Sequence, residues 1–206
     1  IIIPIILSLI FTYVVWQVTA LFSILSYIGI FSGSLILLSY LYRILNNFFY
    51  KKFINIGSAV AHIGFGLLFL AISFNSILSY EKNLNLAPGE TILIDESIEE
   101  FSFDDIKVLK ASNHDVISVE VSLLQDGKNI FLNPQKRKYA TRGQITTESS
   151  IHASILKDTY LTIGDQLENG SWTFALKINY FIKWIWFSAS LMVMGMLITI
   201  FKKKAI

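Results

Sequence analysis

Cysteine is absent from the 206 residues, which rules out a disulfide staple, a zinc–thiolate site and a cysteine nucleophile. Charge is scarce as well, at 16% of the chain, against roughly 25% in ordinary soluble domains. None of it falls in residues 1–42; the first charged residue is Arg43. Acid is missing from both ends, because all fifteen Asp and Glu lie between Glu81 and Glu168. Residues 81–179 hold ten basic and fifteen acidic residues, a net of −5, and the remainder holds seven basic residues and no acid. The overall +2 is therefore the sum of two unlike environments, and no nucleic-acid partner is expected from it. Nothing in the chain has the pattern of a phosphate loop, a hydrolase triad or a nucleic-acid module.

What is present is apolar sequence in long runs, 53% of the chain being hydrophobic. The uncharged opening stretch would make roughly 63 Å of helix at about 1.5 Å per residue, too long for one crossing of a core about 30 Å thick. Two spans are expected, near 1–16 and 20–42, with Gln17 and Thr19 as the only polar punctuation between them. A third is expected at 55–78. A fourth, near 181–201, has Lys183 close to its start, where the amine can snorkel. The chain opens Ile-Ile-Ile-Pro inside an apolar run, without the basic flank and cleavage site of a signal peptide, and is expected to be a piece of something longer.

Orientation follows from the basic residues in the short flanks. Arg43, Lys51 and Lys52 lie between the second and third spans, and Lys202, Lys203 and Lys204 follow the fourth. The positive-inside tendency makes both segments cytoplasmic, which puts residues 81–180 on the other face. Trp184, Trp186 and Phe187 then fall at that interface, as an aromatic belt should. The expected organisation is three transmembrane helices in 1–80, an extracytoplasmic β-rich domain in 81–180, and a transmembrane helix with a basic tail in 181–206.

The middle block reads as strand. Apolar and polar residues alternate along residues 116–123 and 172–178. Asp126-Gly127 and Asn169-Gly170 are hairpin signals for a type I′ turn, and Pro88-Gly89 marks another turn. One helix is expected near residues 148–156, capped by Thr146-Thr147-Glu148. The fold class is thus an α-helical membrane bundle of about four spans with an inserted, mostly-β domain, a small sandwich or open barrel.

Of three histidines, His62 carries the most information, because it interrupts an otherwise uncharged span. Ionisable residues within a bilayer are costly and face a bundle interior, a cavity or a cofactor. Gly57, Ala61 and Gly64 leave one helix face bare, which suits either a neighbouring helix or a flat macrocycle. Two readings stand side by side: a ligand or relay, and a neutral histidine that packs. His114 and His152 read as solvated loop residues, and no pair of histidines has metal-ligand spacing. Glu99-Glu100 and Asp104-Asp105 read as surface carboxylates, since strand neighbours point to opposite faces. Lys136-Arg137-Lys138, with Arg142, is a basic run in an acidic domain. It suits either a solvated loop or a surface that takes carboxylates or a protein partner.

Along the chain stand, in order, Ala61-His62-Ile63-Gly64, Ser79-Tyr80-Glu81 and Leu86-Ala87-Pro88-Gly89-Glu90. They are followed by Asn133-Pro134-Gln135-Lys136-Arg137-Lys138-Tyr139, Thr146-Thr147-Glu148, Asp158-Thr159-Tyr160-Leu161 and Trp184-Ile185-Trp186. With these motifs in this order and topology the chain resembles the C-terminal third of the CcmF family, the membrane haem lyase subunit of cytochrome c maturation. It departs at Gln135, where the family often has an acid, and at residues 179–183, where the family usually has a proline.

The resemblance implies that His62 is one of two transmembrane axial ligands of a resident b-type haem. The second ligand, and the tryptophan-rich segment that holds the haem to be transferred, belong to earlier parts of the family sequence. Trp184-Ile185-Trp186 is not that segment. The implied partners are the membrane, the preceding part of the same protein or a separate subunit carrying it, other maturation proteins and apocytochrome c. The implied location is a bacterial or mitochondrial inner membrane. Arg137 and Lys138 are the candidate docking residues, and this chain alone is not expected to be catalytic. The rival of a different class is a membrane-anchored adaptor whose β-domain binds a partner and whose His62 only packs.

Overall fold

A computed structural model describes residues 2–19, 23–50, 55–95, 98–110, 113–139 and 143–204, and the side chains of 48–50 and 202–204 are not described. Lys51, Lys52 and Arg142 lie outside the described residues. The chain forms two compact units, 1–79 with 180–206, and 80–179.

The first unit contains helices α1 (Ile2–Thr19), α2 (Ile24–Tyr50), α3 (Ile56–Leu78) and α4 (Ile182–Lys204). Each holds a stretch long and apolar enough to cross a bilayer. In lipid a helix satisfies its backbone internally, so runs without charge settle into this form. Gln17 and Thr19 do not break α1: the Thr19 hydroxyl bonds back to the Val15 carbonyl at 3.0 Å and meets the Tyr27 hydroxyl of α2 at 2.8 Å. Asn55 caps α3, its side chain accepting from the Ser58 amide at 3.3 Å.

Close packing within this unit depends on small residues. A Cβ on Gly64 would stand 2.9 Å from the Ser188 carbonyl and from the Met192 amide of α4, and one on Gly57 2.6 Å from the Gly195 carbonyl. On the other side, a Cβ on Gly33 of α2 would stand 2.8 Å from the Gly66 carbonyl of α3. The bare face of α3 is therefore filled by α4, the first of the two occupants that such a face suits. A polar latch joins the end of α3 to the start of α4. Asn75 donates to the Tyr180 carbonyl at 2.6 Å, and the Ser79 hydroxyl accepts from the Tyr180 amide at 3.0 Å. Phe181 follows with φ of +61°, a value that a proline ring forbids at that position.

The second unit is a sandwich. One sheet has the order β1 (Tyr80–Leu86), β10 (Trp172–Tyr180), β9 (Lys157–Gln166), β8 (Ser150–Ala153). The other runs β2 (Thr91–Ile92), β3 (Glu100–Lys110), β4 (His114–Gln125), β6 (Gln135–Tyr139), β7 (Ile145–Glu148), with β5 (Lys128–Leu132) also on β4. Strand β4 changes partner along its length, from β5 at 121–125 to β6 at 114–118. Asn133-Pro134 stands at that change, where a residue without an N–H costs the ladder nothing. The sheets meet through Phe101 and Phe103 on one side and Phe174 on the other, edge to face at 5.6 and 5.1 Å. All three rings are buried. Thr159 and Gln125 add a buried hydrogen bond of 2.9 Å between the sheets.

Two local expectations are corrected here. The helix near 148–156 is instead strand β8, paired antiparallel with residues 158–161. Thr146 and Thr147 pair with Arg137 and Lys136, so the supposed cap residues are committed to a ladder. The two hairpin signals also part company. Asp126 and Gly127 have φ of 51° and 68°, as a type I′ turn requires. At Asn169-Gly170 only Gly170 is left-handed, and Gly170 donates to the Leu167 carbonyl while Leu167 donates to that of Ser171. That is a type I turn closed by a glycine bulge, a three-residue alternative to the tighter hairpin.

Candidate functional site around His62

His62 sits in the second turn of α3. Its Nδ1 lies 2.8 Å from the Ser58 carbonyl, one helical turn back. A carbonyl oxygen only accepts, so Nδ1 carries the proton and Nε2 keeps its lone pair. This tautomer presents Nε2 as an acceptor or a metal ligand, with the bond on the other nitrogen holding the ring. The residue is exposed, as is Phe65 on the next turn of the same helix. Among the described residues no hydrogen-bond partner approaches Nε2. Helical phase explains the exposure: the small residues facing α4 lie away from the imidazole, and Gly66 turns toward α2.

Tyr40 of α2 stacks on the imidazole, with ring centroids 4.5 Å apart and 20° between planes. Tyr40 also borders a crevice shared by Arg43, Ile44, Asn55, Ser58 and Ala59, so both helices shape the surroundings of the ring. Sequence reading does not single out Tyr40. An aromatic in an apolar helix is unremarkable until the helix facing it is known.

The remaining candidates lie in the β unit. His114 opens β4, half-buried, with its ring 5.2 Å from that of Tyr139, so it is a strand residue and not a free loop histidine. His152 is exposed on β8. Among the described residues no group of three or more His, Asp or Glu is arranged to hold a metal ion. The basic run is split by its strand. Lys136 and Lys138 point to one face of β6 and Arg137 to the other. Lys136 is mostly buried and pairs with Asp165. Arg137 is held by the Gln135 side-chain oxygen at 3.0 Å and stands 3.7 Å from a Glu148 carboxylate oxygen. Lys138 is exposed. The structure does not bring Arg137 and Lys138 onto one surface.

The donor set fits one axial position of a haem: a single neutral imidazole, its tautomer set by a second bond, with the other nitrogen open on an exposed face of an apolar helix. It does not supply a second histidine in the same unit, where His62 is the only one.

Fold and site together define an integral membrane protein in which a β-sandwich is inserted between the third and fourth of four apolar helices. The family model for the "CcmF C-terminal beta-sandwich" matches residues 77–180, and the chain belongs to the CcmF family. It is 32% identical over 140 residues to the cytochrome c-type biogenesis protein CcmF of Pseudomonas aeruginosa, covering 68% of this chain and 21% of that one. With CcmF of Escherichia coli K12 the identity is also 32%, over 146 residues, 70% of this chain and 22% of the relative. The probable cytochrome c-type biogenesis protein NrfE of the same organism is 27% identical over 157 residues, 76% of this chain and 28% of that one. The chain thus spans about a fifth to a quarter of the length of these relatives. A solved structure titled "Cytochrome c Heme Lyase CcmF" shares the fold, with a TM-score of 0.72 and 13% identity over 96% of this chain and 34% of that one.

Proposed function

We propose that this chain acts within a haem lyase of cytochrome c maturation, where it supplies one axial ligand of an intramembrane b-type haem and an extracytoplasmic docking domain. The reading is carried by the His62 tautomer. The Ser58 carbonyl takes the Nδ1 proton and leaves the Nε2 lone pair directed away from its own helix. Ser58 is a small residue held near the cap of α3, so the carbonyl that orients the ring belongs to a well-anchored turn. When bound, the haem supplies one-electron chemistry at its iron. In this chain His62 would hold it, its ring oriented by the Ser58 carbonyl. The second axial ligand and the platform for the transferred haem come from protein outside this chain.

The basic flank at Arg43 supports a cytoplasmic position for the turn between α2 and α3, and hence a β unit on the extracytoplasmic side of the inner membrane. There the β unit meets other maturation proteins or apocytochrome c. Arg137 and Lys138 occupy opposite faces of β6, so a flat partner surface would meet one of them first. Replacing each separately by alanine reports which face a partner uses.

Reduced-minus-oxidised visible spectra of full-length protein test the ligand. His62→Ala, still folded and inserted, is expected to lose the low-spin b-type signal. Normal haem content in that variant would return His62 to a packing role and favour the adaptor reading.

A further inference from the structure

We propose that Tyr40 is a positioning residue for His62, its ring setting the plane of the imidazole and, through it, the properties of the iron that His62 ligates. The inference rests on the haem-ligand reading and goes one residue beyond it. A histidine side chain turns about two bonds, and the torsion next to the ring has a broad, shallow preference. The bond from Nδ1 to the Ser58 carbonyl fixes one edge of the ring but leaves it free to rock about that contact. Tyr40 removes that freedom, because a second planar ring 4.5 Å away and within 20° of parallel closes one face of the imidazole.

The contact is built into the packing of the helices. Gly33 and Gly66 let α2 and α3 approach until a Cβ on either would stand under 3.0 Å from the other's carbonyl oxygen. Tyr40 lies two turns further along α2 from Gly33, and His62 lies one turn back along α3 from Gly66. The close glycine contact therefore delivers the phenol ring to the imidazole. No hydrogen bond of the Tyr40 hydroxyl is found among the described residues, so the ring and not the hydroxyl carries the effect. The azimuth of an axial imidazole governs how its π orbital overlaps the iron d orbitals. Removing a hydrogen-bonded partner of a ligating histidine typically changes metal affinity 10- to 100-fold, and a stacked ring that holds the same plane restrains the same freedom at the lower end of that range.

The test uses full-length protein carrying Tyr40→Phe, Tyr40→Leu, Tyr40→Met or His62→Ala, each confirmed as inserted and folded. Two readouts are taken: the low-spin EPR spectrum of the oxidised haem, and the rate of haem transfer to apomyoglobin. Tyr40→Phe is expected to match wild type in both. Tyr40→Leu and Tyr40→Met, which keep apolar volume but lose the flat ring, are expected to shift or broaden the low-spin signal and to release haem about tenfold faster. Wild-type spectra and release rates in both ringless variants would overturn the inference, and so would a Phe variant as altered as they are. Loss of the signal in His62→Ala alongside unaltered Tyr40 variants would sink the positioning role alone. A normal signal in His62→Ala would sink the ligand reading and this inference with it.

Discussion

Helices α3 and α4 meet where Gly57, Gly64 and Gly195 leave their backbones bare, whereas the two sheets of the β unit meet through Phe101, Phe103 and Phe174. The same chain thus joins its elements by two opposite devices. Lipid tails are as apolar as leucine, so burying a large side chain between membrane helices gains little, and close backbone approach provides the contact instead. In water the gain comes from apolar area removed from solvent, and aromatic rings supply the most area per residue. The identity of the surrounding solvent decides whether a contact is made by the smallest residue or the largest.

The sharpest way to break this contrast is in the β unit. Phe174→Ala is expected to destabilise that unit by about 3–5 kcal/mol, measured as the shift in denaturant midpoint by pulse proteolysis. A loss under about 1 kcal/mol would mean that the sheets are not held by the aromatic cluster.

The matching test in the helical unit adds atoms where the other removes them. A Cβ on Gly195 would stand 2.6 Å from the Gly57 carbonyl oxygen and closer still to the Ala61 amide. Since these are backbone atoms, Gly195→Ala has no flexible neighbour to push aside. It is expected to cost about 1–3 kcal/mol, read from thermal inactivation in detergent. Full tolerance of alanine there would show that α3 and α4 do not depend on close approach.

The smallest effect belongs to a surface pair of the β unit. Glu120, hydrogen-bonded to Lys107 across β3 and β4, raises the lysine above its ordinary value near 10.5. A raised lysine contributes stability that is fully present below its unfolded value and is lost as pH climbs through the folded one. The difference in unfolding midpoint between wild type and Lys107→Met should therefore be constant between neutral pH and about pH 9 and shrink above the ordinary lysine range. A difference that grew with pH would exclude the pair as its source.

Much of the architecture was legible in the residues because its signals are local. Uncharged runs of membrane length, and an acidic block with period-two alternation, each state their environment without reference to the rest of the chain. The stretch from Thr146 to Leu156 misled for the opposite reason. Its threonines and glutamate carry a capping signal, but hairpin pairing with the neighbouring β6 and β9 outweighs it, and those partners lie outside the stretch that carries the signal. The split of Arg137 from Lys138 was available in principle, since a strand at 135–139 implies it, yet reading the run as a loop concealed the alternation. At the site, His62 was visible as the one ionisable residue inside its span. Tyr40 was not, because its role depends on which helix faces which.

The sequence by itself determined which parts of this protein lie in lipid and which in water, and placed one histidine among the former. Those choices follow from the transfer cost of each residue, which is set by its own side chain. Only the tertiary structure decided that α4 covers the bare face of α3 and that Tyr40 lies against the face of the imidazole. Each of these depends on helix phase or on contacts between distant segments, and no local pattern specifies either.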